Sequence, residues 1–85
     1  MTAPIPIPVE PLPQGTTVIE VTSELYRVYH YADGAKFRIN EPVMVYILAG
    51  GSHRVVDASG MVYRPTIDFL AISWKPKPGQ PAFVA

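Results

Sequence analysis

Residues 50–64 read GGSHRVVDASGMVYR. A double glycine breaks the chain and a short strand follows. Asp57-Ala58-Ser59-Gly60 then suits a type I turn followed by a bulge, and Met61 to Tyr63 leads back. This hairpin lies between the two most apolar runs, Val43 to Ala49 and Phe69 to Trp74. The run Val43 to Ala49 has no polar residue, which predicts a central strand covered on both faces.

Working outward toward the N-terminus, Asn40-Glu41-Pro42 punctuates the chain, and before it stands a second hairpin. Asp33-Gly34 fits a two-residue type I′ turn. That turn would set Tyr31 opposite Lys36, His30 opposite Phe37, Tyr29 opposite Arg38 and Val28 opposite Ile39. Tyr26, Val28, His30, Phe37 and Ile39 would then form the core face, and Arg27, Tyr29, Tyr31, Lys36 and Arg38 the opposite face. Ser23 and Glu24 suggest a bend or bulge before Leu25, and Thr16 to Thr22 is rich enough in β-branched residues for a first strand. On the C-terminal side Pro65 ends the opening hairpin. Ile67 to Trp74 supplies the last strand, with Leu70, Ile72 and Trp74 on one side. The period is two throughout, so the expected fold is all-β: a small single-domain antiparallel barrel or sandwich of about six short strands, SH3-like or OB-like.

Eight of the ten prolines lie outside residues 14–75. The chain is therefore expected to have a proline-rich N-terminal arm (1–13), a β domain (14–75) and a proline-rich C-terminal arm (76–85), the arms extended and unable to join a central ladder. Both arms carry apolar side chains, Ile5, Ile7, Val9 and Leu12 in one and Phe83 and Val84 in the other. A solvated linker has no use for these, so they are expected to dock on a surface. Lys75-Pro76-Lys77-Pro78-Gly79-Gln80-Pro81 also matches a basic P-x-x-P ligand pattern.

At 85 residues with 48% apolar side chains and no net charge, the chain is globular, near the lower size limit for folding alone, and without the overall field that non-specific nucleic-acid binding relies on. It has no cysteine, hence no disulfide framework or thiolate chemistry. Its N-terminus lacks the pattern of a signal peptide or a spanning helix, so a cytoplasmic or particle-associated location, with no membrane partner, is expected.

Ser52, His53 and Asp57 have the residue types of a hydrolytic triad, but adjacent strand residues point to opposite faces and no nucleophile elbow is present. Asp57 suits its turn, and Asp68 a bulge or strand start. His30 and His53 lie on different hairpins with no acidic residue at ligand spacing. The expectation is a non-enzymatic protein with no catalytic residue, metal or cofactor. It would be an assembly or binding protein whose arms dock on copies of itself, on a protein partner or in a larger particle, as a virion-associated decoration or accessory protein does. The alternatives are single-stranded nucleic-acid binding through Arg27, Tyr29, Tyr31, Lys36 and Arg38, whose alternation of rings and cations resembles a stacking platform, and inhibition of a host enzyme.

Overall fold

The structure is a computed structural model and describes residues 12–80. Seven strands run in order: β1 (Thr17–Glu20), β2 (Glu24–His30), β3 (Lys36–Asn40), β4 (Pro42–Ile47), β5 (His53–Asp57), β6 (Val62–Tyr63) and β7 (Ala71–Pro76). They form two antiparallel sheets, β1-β4-β5-β6 and β3-β2-β7, and no helix occurs among the described residues. Between the sheets lie Tyr29 and Ile39 from one, Val45 and Val55 from the other, and Val21 from the corner after β1. The apolar run at Val43 becomes β4, a central strand of its sheet as expected, but its outer face, at Met44 and Tyr46, is only half-buried rather than covered.

Three hairpins use one turn. In each, the glycine N–H bonds back to the residue before the loop, Gly34 to Tyr31, Gly51 to Leu48 and Gly60 to Asp57, and a second bond closes the hairpin one residue further on. The glycines have φ of 84°, 92° and 90°. This is a type I turn with a bulge at a left-handed glycine, and the loops are Ala32-Asp33-Gly34, Ala49-Gly50-Gly51 and Ala58-Ser59-Gly60. Asp57 performs as expected. Its Oδ1 accepts bonds from the N–H groups of Ser59 (2.9 Å) and Met61 (3.0 Å) and from the Ser59 hydroxyl, and its Oδ2 accepts the Tyr63 hydroxyl at 2.9 Å. Burial works to raise the Asp57 pKa, but these bonds outweigh it and hold the carboxyl below its usual value. Asp57→Ala is expected to cost about 1–2 kcal/mol in urea unfolding, and the loss of a group with a depressed pKa flattens the acid limb of the stability profile.

The first hairpin corrects the expected register. A type I′ turn needs positive φ at both central residues, and Asp33 does not have it. The loop therefore holds one more residue, and every partner shifts by one: Tyr29 faces Phe37, Val28 faces Arg38 and Arg27 faces Ile39. A one-residue slip exchanges faces. Arg27, Tyr29 and Tyr31 point inward with Phe37 and Ile39. Tyr26, Val28 and His30 share the outer face with Lys36 and Arg38, and of these Val28 is nonetheless buried, at 9% exposed.

The bulge expected near Glu24 is present, where the pairing of β2 with β7 shifts between Glu24 and Tyr26. Residues three apart on a regular strand point to opposite faces. The added residue brings Glu24 and Arg27 onto the same, inner face. At the other end of β3, Glu41 adopts φ 49°, a left-handed conformation rare outside glycine. Its N–H bonds to Leu25 O and its carbonyl accepts the Ala58 N–H. The chain passes there from one sheet to the other.

The last strand begins later than expected, at Ala71. Ile67 and Leu70 precede it and are 59% and 72% exposed, and Asp68 sits in a turn rather than a bulge. Pro76 is the last residue of β7, opposite Glu24. Lys77 N–H reaches Ser23 O, and Lys77-Pro78-Gly79-Gln80 closes a turn at Gly79 with φ 77°. Lys75 and Pro76 of the P-x-x-P pattern are thus strand and Lys77 to Gln80 a turn, and Pro81 lies outside the described residues. Leu12 is 39% exposed. Ile5, Ile7, Val9, Phe83 and Val84 lie outside the described residues.

Candidate functional site: a buried polar relay and an open sheet edge

The chemistry expected on the surface is inside. Arg27 donates from Nε and Nη2 to the two Glu24 oxygens, both at 2.9 Å. Its Nη1 reaches the Tyr29 hydroxyl at 3.4 Å, and that hydroxyl lies 2.7 Å from His53 Nδ1. Tyr29 is fully buried, and Glu24, Arg27 and His53 are 6%, 8% and 7% exposed. Phe69 packs edge-on against both the Tyr29 and His53 rings.

The donor inventory fixes the protons. Guanidinium has only donors, so the Tyr29 oxygen accepts from Arg27, and donation of its proton to His53 is the arrangement that leaves no buried phenol proton unpaired. Nδ1 is then the acceptor and Nε2 carries the imidazole proton. Burial, and secondarily the Arg27 charge, lower the His53 pKa. Burial raises that of Tyr29, with the Arg27 bond opposing. Burial opposes the Arg27 charge too, but its bonds to Glu24 and Tyr29 outweigh this and its pKa rises. The relay is a neutral phenol and imidazole beside a closed ion pair. Every buried side-chain polar atom among the described residues has a partner. Such a fully satisfied set rigidifies and orders a core.

The depressed His53 pKa makes stability depend on pH. The unfolded histidine, near 6.5, binds a proton more tightly than the folded one. Because burial and the Arg27 charge penalise the protonated ring in the folded state, stability is fully present above pH 6.5 and is lost as pH falls through the folded value, with a slope of at most about 1.4 kcal/mol per pH unit. Urea midpoints measured from pH 7.5 down to 5 should show this fall. His53→Asn keeps an acceptor for Tyr29 and should remove that part of the slope.

Ser52, His53 and Asp57 are not brought together as a triad. His53 bonds to Tyr29 at one end of β5, while Asp57 serves its turn at the other. His30, expected in the core, sits on the outer face opposite Lys36 and bonds to Ser73 Oγ at 2.8 Å. Among the described residues no group of three or more His, Cys, Asp or Glu could hold a metal ion. No described helix is long and apolar enough to cross a membrane.

The five residues expected to share a nucleic-acid face are divided. Arg27 and Tyr29 are in the core. Tyr31 is half-buried, its hydroxyl donating to Thr66 O at 3.3 Å. Lys36 is exposed on β3. Arg38 stacks on the Tyr26 ring at 3.9 Å and bonds to Asn40. A shallow groove of about 670 Å³ runs between the first hairpin tip and the segment after β6, where Lys36 and Arg64 are offset by Asp33 and Asp68.

The other notable feature is β1. Among the described residues it pairs only with β4, and all four of its residues are exposed. Ile19 lies on the inner face beside Val45, and Val18 on the outer face beside Tyr46, yet they are 40% and 46% exposed. Sequence reasoning identified the strand but not its place at an edge, because edge position depends on long-range pairing. No family model matches this chain, and neither a curated protein nor a solved structure is significantly similar to it.

Proposed function

We propose that the protein is a non-enzymatic assembly or binding module, a small β domain that docks on copies of itself or on a protein partner along an open sheet edge and through its proline-rich arms. The observation that carries this is β1, an edge strand exposed and apolar on both faces, at Val18 and Ile19. Soluble proteins blunt such edges with charge or proline, or cover them. Here two adjoining apolar side chains on opposite faces leave an edge suited to receiving an extended segment. An accessory or decoration role in a larger particle fits the same surface. The small-barrel scaffold, SH3-like or OB-like, belongs to this reading too, with Glu41 as the corner where a strand bends from one sheet into the next.

Light scattering on the full-length protein tests the proposal. It predicts a mass above the 9.3 kDa of one chain, falling to one chain when Val18 and Ile19 are both replaced by lysine. A folded protein that stays at one chain at every concentration and captures no protein partner would sink it.

A further inference from the structure

The β1 edge also specifies what can sit on it. Val21 N–H donates to Val43 O at 3.0 Å, and the pairs Thr17/Ile47 and Ile19/Val45 continue the same ladder. In an antiparallel pair, bonded and non-bonded positions alternate. The N–H and C=O groups of Val18 and Glu20 therefore point away from β4, toward the open edge.

Residues 3–9, Ala-Pro-Ile-Pro-Ile-Pro-Val, have the matching pattern. Successive residues of an extended strand present their N–H and C=O groups to opposite edges, so Ile5, Ile7 and Val9 can all donate to one edge while Pro4, Pro6 and Pro8 leave the other without donors. Each proline also biases the residue before it toward extended backbone. A segment with this pattern can join a sheet on one side only and then ends it. Paired with Val18 and Glu20, it sets Ile5, Ile7 and Val9 on the outer face with Val18, and its prolines over Ile19. Both exposed apolar residues become covered.

The same chain is poorly placed to supply it. Pro13-Gln14-Gly15-Thr16 forms a type II turn, with Gly15 at φ 82° and Thr16 N–H donating to Pro13 O at 3.2 Å. Turns of that type splay the strands they join. The residues that would face β1 next to the turn, Pro13 and Pro11, have no N–H, and Leu12 and Pro13 belong to no ladder. A neutral chain places no net electrostatic repulsion between copies.

We infer that residues 5–9 of a second copy occupy the open edge of β1, so that the protein assembles by exchanging its N-terminal strand. This rests on the assembly reading above and names its contact.

The chain has no cysteine, so single-cysteine variants of the full-length protein report the contact. Ile7→Cys and Val18→Cys proteins are mixed and treated with a short bifunctional maleimide. The exchange predicts a cross-linked two-chain species at least about tenfold more abundant than when Ile7→Cys is mixed with Lys36→Cys, because held groups react at high effective concentration. The double variant Ile7→Cys/Val18→Cys should give cross-links between chains. A cross-link confined to one chain would overturn the inference in favour of the chain's own arm, and equal yields with Lys36→Cys would overturn it outright. Light scattering on the same samples separates the two readings: a multi-chain mass without the specific cross-link ends strand exchange but leaves assembly standing, whereas a one-chain mass that captures no partner ends both.

Discussion

Arg27→Met is expected to destabilise the protein by about 3–5 kcal/mol, the cost of leaving a buried partner charge uncompensated. Glu24 is 6% exposed and both its oxygens are held by the arginine. Methionine fills much of the space but gives those oxygens no donor. For a domain this small the loss is a large share of total stability, and the variant should be largely unfolded by circular dichroism at 25 °C. Replacing both partners, as Glu24→Leu with Arg27→Met, should recover most of the loss, because removing a buried pair together avoids the orphaned charge. Equal damage from the single and double variants would contradict a pair whose members matter through each other.

Tyr29→Phe carries the second large effect. It removes one oxygen and leaves two buried partners, Arg27 Nη1 and His53 Nδ1, without the group between them. The ring, its packing on Phe69 and the core volume are retained. The expected cost is about 2–3 kcal/mol, above that of an ordinary hydrogen bond because the orphaned groups cannot reach water. His53→Leu in the Tyr29→Phe background should cost less than in the wild type, since the bond it would break is already gone. Urea unfolding of the four proteins gives the coupling directly, and strict additivity would mean that no relay exists.

Both predictions concern residues whose alternation on β2 is plain in the sequence but whose face is not. Tyr26 to Tyr31 alternates in either register, and Asp33-Gly34 serves a two-residue or a three-residue loop. The choice depends on whether Asp33 also takes positive φ, and with Ala32 able to enter the loop it need not. One signal was available. Ala-x-Gly recurs at residues 32–34, 49–51 and 58–60, and the last of these is read correctly because Asp57 and Gly60 stand where only the longer loop uses both. Transferring that loop to Asp33-Gly34 moves Arg27 and Tyr29 inside.

The bulge at Glu24 was legible as a place but not as a consequence. That it turns Glu24 onto the face of Arg27 depends on counting residues against β7, which is more than forty residues away. His53 likewise meets Tyr29 only once the two sheets are stacked. The strands, the turn at Asp57 and the central position of β4 follow from local chemistry. The relay and the open edge of β1 follow from pairings between distant segments.

With Arg27 and Tyr29 of the first hairpin buried, the proposed contact surface is β1. Amide hydrogen exchange along that strand tests this most directly. The Val18 and Glu20 N–H groups, which face the open edge, are expected to be protected in concentrated full-length protein and to exchange freely on dilution to single chains, while Ile19, bonded to β4, stays protected in both. Free exchange of Val18 and Glu20 at every concentration, in a folded protein carrying its bound partners, would contradict it.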